Sequence, residues 1–531
     1  MQLKVVTSGT ASAAVDDSLG ILISEKIASR IANKDATVWG KDAEAESSIR
    51  LGWVSSAKDS LSLIESIISL REKFSSRGVS RFVLCGMGGS SLAPEVITKT
   101  YGVDLVVLDS TSPDQVSAAL AEDLSRTAVV VSSKSGSTVE TDSQKRVFEA
   151  AFTNAGIDPR ERIVIVTDPG SPMQKAAAAD GYQIFESDPT VGGRYSALTA
   201  FGLVPSGLAG VDVAELLTQA SSAMELLSKD SKDNPAFVLG AALARTPGEM
   251  GFRDKIGIVE DGTSISGLGD WIEQLVAEST GKLGKGILPV VLDLKSAELS
   301  SGLADLVAVH IQQDAKPIAG DSVSVSGSLG AQLLLWEYAT AVACYLLGVN
   351  PFDQPDVESA KIAARAMLEN IDGPQDPEKI IEGIGVSSLG FSTSGTSISE
   401  VIASLTNLVD ADLGYLSIHA YLDRSGLPQA PSLRDQFANK LKRPVTFGWA
   451  PRFLHSTGQY HKGGPKQGVF LQLVSASDFD LGVPGREFTF GELIASQAAG
   501  DAKVLSDLGR PVLTLILQDP KNAIQEISKA I

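Results

Sequence analysis

The chain is predicted to be α/β, built as two three-layer αβα domains, each a doubly wound parallel sheet. Two observations predict this. From Arg81 onward, short apolar β-branched runs alternate with helical stretches, the pattern of a parallel sheet covered by helices on both faces. Glycine-rich and hydroxyl-rich turns stand where strands end and helices begin, the edge at which such sheets bind ligands.

The elements follow in order. Residues 1 to about 55 read as a helical lead-in, with Leu19, Ile23, Ile27 and Ile31 at i, i+4 spacing. Strands follow at Phe82–Cys85, Leu105–Leu108, Val129–Val131, Ile163–Val166 and Tyr182–Phe185, with a helix over Pro113 to Glu122. A helix over Val213 to Leu227 leads to a second alternating region. Its strands are Ile256–Val259, Leu288–Leu292 and Leu306–His310, and its long helices are Ala331 to Leu347 and Val357 to Asn370. Residues 371 to 397, rich in Gly, Pro and Ser, read as a linker. Strand-like runs at Tyr415–Ala420, Val445–Gly448, Val469–Val474 and Val512–Leu517 are read as completing the second sheet. The expected division is a helical segment 1–55, a first domain 56–225 and a second domain 226–531. The alternative makes 398–531 a small α/β domain of its own.

Composition bounds the function. A chain of 531 residues, 43% hydrophobic and 21% charged, suits a globular protein of two or three domains. The longest apolar stretch, Leu333 to Val349, contains Glu337 and reads as a buried helix rather than a membrane span. The N-terminus lacks the long apolar core of a signal peptide. Cys85 and Cys344 sit in apolar contexts and form no metal or disulfide pattern, so a cytoplasmic location is expected. A net charge of −19 argues against a nucleic-acid partner. An anionic substrate must then meet local cations, for which Lys134, Arg194, Lys282 and Lys361 are candidates.

The segment Ser132-Ser133-Lys134-Ser135-Gly136-Ser137-Thr138-Val139-Glu140-Thr141 is the most informative. It gathers six hydroxyls and a Lys between a strand and a helix. Free N–H groups and the positive dipole end of a helix favour an anion there. Hydroxyls donate without adding charge, and a phosphate has the acceptor oxygens to use them. A Ser-rich capping loop is the competing reading, but one cap does not use six hydroxyls. Gly86-Met87-Gly88-Gly89-Ser90-Ser91 also follows a strand, yet Ser91 stands where a dinucleotide fingerprint needs its last glycine.

Further motifs narrow the class. Gly192-Gly193-Arg194-Tyr195-Ser196 follows the fifth strand. The helical run from Gly267 to Lys282 puts Gln274 and Glu278 on one face. Gln354 precedes Lys361 by seven residues, and His455 lies in Leu454-His455-Ser456-Thr457-Gly458-Gln459. Together these patches, from about residue 80 to about 475, resemble the phosphoglucose isomerases, which are built from two sugar-isomerase (SIS) domains. The resemblance implies phosphate contacts from Ser133, Ser135, Thr138 and Thr141, helped by Lys134, Gly89 and Ser90. It implies Glu278 as the catalytic base, Arg194 as the active-site Arg, Lys361 as the late-chain Lys and His455 as the ring-opening residue. Gln274 and Gln354 would contact the substrate. A homodimer is implied, with the active site at the interface and the His donated by the partner subunit. The chain departs from the family in order, because His455 follows Lys361. It also resembles the isomerase half of actinobacterial fusions with a transaldolase, without the transaldolase portion.

The chemistry matches these residue types. Interconverting glucose 6-phosphate and fructose 6-phosphate requires ring opening and proton transfer between C2 and C1 through a cis-enediolate. A carboxylate can take and return that proton, a fixed cation stabilises the enediolate, and a His titrates in the range ring opening needs. Competing roles remain open: a surface pair of Glu278 with Lys282, a loop brace for Arg194, an exposed helical Lys361. His461 is the alternative to His455, while His310 and His419 sit in apolar strands. No metal pattern or redox cofactor is expected. A phosphosugar sensor without chemistry, or an isomerase also accepting mannose 6-phosphate, are the alternative functions.

Overall fold

The computed structural model describes residues 2–356, 362, 368, 377–476 and 479–531. The expected helix Val357 to Asn370 therefore lies almost wholly outside the described residues, and Lys361 lies outside them altogether. The chain opens with a strand, β1 (Lys4–Ser8), within the segment expected to be helical. The helical reading of the remainder holds in three pieces, Thr10–Ser24, Ile27–Ala32 and Lys41–Ser47. Lys26, with a φ of 55°, breaks the run between Ile23 and Ile27.

The first sheet is wholly parallel and matches the five strands expected. β2 (Arg81–Gly86), β3 (Val106–Leu108), β4 (Thr127–Ser132), β5 (Ile163–Thr167) and β6 (Gln183–Glu186) stand in the order β3-β2-β4-β5-β6. Val129, Val130 and Val131 are fully buried, as befits a strand covered on both faces. Removing each such side chain from water contributes about 1.5–3 kcal/mol. The second sheet holds β7 (Lys255–Asp261), β8 (Leu288–Leu292), β9 (Leu306–Gln312) and β10 (Ser322–Ser326), with β1 added antiparallel beside β10. The helix Leu329–Leu347, buried along nearly its whole length, packs in the same core. Among the described residues no helix is long and apolar enough to cross a membrane.

The runs after residue 397 do not complete the second sheet. They form a sheet of their own, in the order β11-β12-β16-β15-β13-β14. Its members are β11 (Lys379–Ile381), β12 (Ile384–Leu389), β13 (Tyr415–Tyr421), β14 (Val445–Trp449), β15 (Gly468–Ser475) and β16 (Val512–Leu517). The physical reason is the kind of contact made. Leu288, Val290 and Leu292 of the second sheet pack side chain to side chain against Tyr415, Phe470 and Val512 of the third. Burial joins the two sheets; a shared hydrogen-bond ladder does not. The expected linker 371–397 is likewise partly structured, since β11 and β12 pair as a hairpin and β12 joins β16 antiparallel.

Buried ion pairs cross this junction. Arg434, in the helix after β13, donates to Glu298 at 2.6 and 3.3 Å, with both side chains buried. Lys255 lies between Asp254 at 2.8 Å and Asp305 at 2.9 Å, and Arg443 also pairs with Asp305. Removing one partner of a buried pair strands the other charge, at about 3–5 kcal/mol. Arg434→Ala should therefore lower stability by about that amount, read as a lower urea midpoint with unchanged slope. A loss below about 1 kcal/mol would show that Glu298 is satisfied by other means.

Candidate active site

Three loops and one helix converge at the carboxyl end of the first sheet. The turn after β2 is closed by glycines because neighbouring backbone comes too near for a side chain. A Cβ on Gly88 would stand 2.6 Å from the His455 carbonyl oxygen, and one on Gly89 would stand 2.1 Å from that of Gly193. The glycine turn thus touches both the Gly192–Arg194 turn and the His455 turn. Ser90 is buried within it.

The helix Leu268–Thr280 supplies the acidic centre. Its flanking residues Leu275, Val276 and Ala277 are buried, so Glu278 is held on a fixed element and is itself 8% exposed. Gln274, one turn earlier, donates from Nε2 to Glu278 Oε2 at 3.0 Å and to the His455 carbonyl at 2.8 Å. Arg194 Nη1 lies 3.6 Å from Glu278 Oε1. Its Nη2 donates to the carbonyls of Phe352 and Asp353, at 2.7 and 3.1 Å, and to Gln354 Oε1 at 2.9 Å. Arg194 Nη1 and Gln274 Oε1 are buried with no hydrogen-bond partner among the described residues. A spare donor and a spare acceptor thus flank the carboxylate, which suits a polyhydroxylated ligand.

Lys282 does not pair with Glu278. It donates to the carbonyls of Asn350 and Asp353 and to Asp353 Oδ1, at 2.6–2.7 Å, and so holds the turn that presents Gln354 to Arg194. Burial pulls its pKa down from the ordinary Lys value, and nearby Arg194 adds to this. It braces the site.

The hydroxyl-rich loop opens the helix Val139–Asn154. Ser133 Oγ lies 2.9 Å from Thr138 Oγ1 and accepts from the Gly136 N–H at 3.2 Å. Thr138 is the N-cap residue but makes no side-chain capping bond, and Thr141 Oγ1 is buried without a partner among the described residues. Ser135 accepts from the Ser137 hydroxyl at 3.0 Å. Lys134 is already paired with Asp168 at 2.5 Å, and burial lowers its pKa. Its charge is therefore largely neutralised before any ligand arrives.

The four histidines separate clearly. His455 Nε2 lies 3.0 Å from Glu140 Oε1, and its side chain is 18% exposed. His461, the alternative, is buried beside Tyr415 and Ser417, at 3.0 and 3.3 Å. Burial pushes its pKa well below the ordinary value, and His419 and Lys462 push it further. His419 pairs with Asp501 at 3.2 Å and His310 with Asp261 at 3.3 Å. The resemblance implied a His given by a partner subunit. Here His455 lies against Gly88, Gln274 and Glu140 of its own chain, because the third sheet brings the loop after β14 over the first sheet.

That loop is anchored by charge. Arg452, buried three residues before His455, pairs with Glu95 and lies 2.9 Å from Asp109 Oδ2; Arg424 pairs with the same two carboxylates. Sequence reading missed this cluster, and it missed Glu140 and its second partner Gln497 at 2.7 Å. Glu140 stands in the phosphate-loop motif itself, which was a usable signal. For the others, residues more than 300 positions apart meet, and no local pattern announces it.

The fold is shared with solved structures. A hypothetical protein from Thermus thermophilus is 24% identical with a TM-score of 0.58, covering 69% of this chain and 100% of that one. A glucose-6-phosphate isomerase from Chlamydia trachomatis is 19% identical with a TM-score of 0.53, covering 68% of this chain and 85% of that one. The chain therefore shares the α/β fold of these two proteins. Residues 54–302 match the phosphoglucose isomerase family model. Three curated relatives are similar over part of their length. The probable glucose-6-phosphate isomerase of Haloarcula marismortui is 35% identical over 211 residues, 39% of this chain and 48% of that protein. The glucose-6-phosphate isomerase of Rubrobacter xylanophilus is 29% identical over 366 residues, 56% of this chain and 84% of that protein. A third, from Gloeothece citriformis, is spanned over 65% of its length at 29% identity.

Burial alone would raise the Glu95 carboxyl, but Arg452, Arg424 and Lys99 outweigh it and hold its pKa well below the ordinary 4.5. A depressed carboxyl contributes stability above its unfolded value, and that contribution is lost as pH falls. Glu95→Gln should therefore weaken the fold at neutral pH and flatten the fall in stability below pH 4.5, measured by urea unfolding at stepped pH. An unchanged acid slope would mean that the cluster does not couple to folding.

Proposed function

We propose that the chain is an aldose–ketose isomerase interconverting glucose 6-phosphate and fructose 6-phosphate, without a cofactor. The observation that carries this reading is the Glu278 carboxylate set beside Arg194 and joined through Gln274 to the His455 backbone. Such a group is more than a phosphosugar sensor requires. The names of the curated relatives and the family-model match support the same substrate class.

In this reading the phosphate sits at the start of the helix Val139–Asn154, on Ser133, Ser135, Thr138 and Thr141, with Ser90 and Gly89 beside it. Lys134 contributes through its hydrogen bonds more than its charge. His455 opens the ring: one ring nitrogen is held by Glu140, leaving the other for the sugar. Glu278 takes the C2 proton and returns it to C1. The spare Nη1 of Arg194 donates to the enediolate oxygen, where a fixed donor is worth most because charge develops there. Gln274 and Gln354 orient the hydroxyls, and Lys361 protonates a ring oxygen or holds a hydroxyl. Cytoplasmic residence and a homodimer accompany this reading, in which His455 serves the site of its own chain.

Two measurements test the proposal. Glu278→Gln should fold normally and lose about 10²–10⁴-fold in kcat, followed as fructose 6-phosphate formed from glucose 6-phosphate. A wild-type protein that binds the sugar phosphate without turnover would make it a sensor instead. Mixing Glu278→Gln with His455→Ala, after joint unfolding and refolding, should restore no activity if each chain completes its own site. Recovered activity would show that subunits exchange the His-bearing loop.

A further inference from the structure

Gln497 belongs to the helix Phe490–Asp507, in the part of the chain built around the third sheet, yet its side chain reaches the first sheet's loops. Its Nε2 donates to Glu140 Oε1 at 2.7 Å, and its Oε1 accepts from the Thr111 hydroxyl at 2.9 Å. Both Gln497 and Thr111 are buried, as is Glu140. The amide orientation follows from chemistry. An ionised carboxylate only accepts, so the NH₂ must face Glu140 and the oxygen must face Thr111. The same Glu140 oxygen lies 3.0 Å from His455 Nε2. Thr111, Gln497, Glu140 and His455 therefore form one hydrogen-bonded line from the loop after β3 to the imidazole.

We propose that Gln497 is a positioning residue for the isomerisation: it fixes the Glu140 carboxylate and shares its charge, so that His455 is aimed and remains able to give up its proton. This rests on the isomerase reading above. The line has a defined polarity. Thr111 donates to Gln497, Gln497 donates to Glu140, and the imidazole donates to the same oxygen. A donor on that oxygen withdraws part of the charge that would otherwise stabilise the imidazolium. Without Gln497 the buried carboxylate cannot turn to water, and it leans on its remaining donors, His455 among them. Among the described residues, the charged groups around the site include Glu278 on the helix Leu268–Thr280 and Arg194 on the turn after β6, beside the paired Lys134–Asp168 and Lys282–Asp353. Arg452, with Glu95 and Asp109 facing it, lies on the His455 side. None of these changes when residue 497 is replaced.

The test compares wild type with Gln497→Met, which keeps the length and removes the donor, and with Gln497→Glu. In Gln497→Met the acid limb of kcat/KM should move up by about one pH unit, as expected when a hydrogen bond to a charged group is lost. At neutral pH kcat should fall by about tenfold with KM little changed. The His455 ring resonance, assigned with His455→Ala, should show the same upward shift in its NMR titration, independently of turnover. Thr111→Val, which frees the amide at its far end while leaving the donor to Glu140, should shift it less. Gln497→Glu, which puts a second carboxylate beside Glu140, should not rescue. An acid limb and His455 titration midpoint that stay at the wild-type values in a folded Gln497→Met overturn the proposal, as does a midpoint that falls. If wild type itself lacks isomerase activity, the functional reading fails, while the NMR midpoint still decides the coupling.

Discussion

The ion cluster of Arg452 with Glu95 and Asp109 is the contact on which the rest of the site depends. The other described site residues read from the sequence belong to the loops and helices of the first two sheets or to the turn after the helix Leu329–Leu347. His455 comes from the part built around the third sheet, as Gln497 does, but it stands on a short turn with little regular structure. A turn of that kind holds its place only if something buried holds it. A guanidinium between two buried carboxylates does so firmly, because losing it would leave both acids uncompensated. The cluster is thus less a source of net stability than a means of making one arrangement far better than the alternatives.

Around that anchor the site is organised by pairing rather than by free charge. Lys134 is met by Asp168, Lys282 by Asp353, Arg194 by Glu278 and by the carbonyls of the 352–353 turn. In a chain of net charge −19, this limits the attraction any single cation exerts. It leaves recognition of an anion to hydroxyls and helix N–H groups. Among the described residues, the buried atoms left without a hydrogen bond include Nη1 of Arg194, Oε1 of Gln274 and the Thr141 hydroxyl. Burying such groups without partners is unfavourable, so they are poised for a polar ligand.

Much of the fold could be read from the chain, and the reasons are local. The first sheet's strands are short, apolar and bounded by glycine or hydroxyl turns, so their places needed no tertiary knowledge. The hydroxyl loop and the Gln274–Glu278 pair were legible because each lies within ten residues of sequence. Sheet membership was not. Whether Tyr415–Tyr421 extends β8 or lies across it depends on side-chain packing between Leu288, Val290 and Tyr415, which strand propensity does not encode. β1 was hidden because Val5 and Val6 are too few to stand out beside the helix that follows. Lys282 was read as a free cation because its partners, carbonyls of a turn about 70 residues away, leave no trace in composition.

The pairing of Lys4 with Ser326 sets an order on assembly. Strands 81 to 186 can find one another as soon as they leave the ribosome, since each pairs with neighbours close in sequence. The first residues of the polypeptide must instead wait through more than three hundred others for their place. Closing so long a loop is slow, and until it closes the β10 margin stays open to stray strands. β1 therefore cannot take its place in the sheet until β10 has been made, and that edge is the last of the second sheet to be sealed.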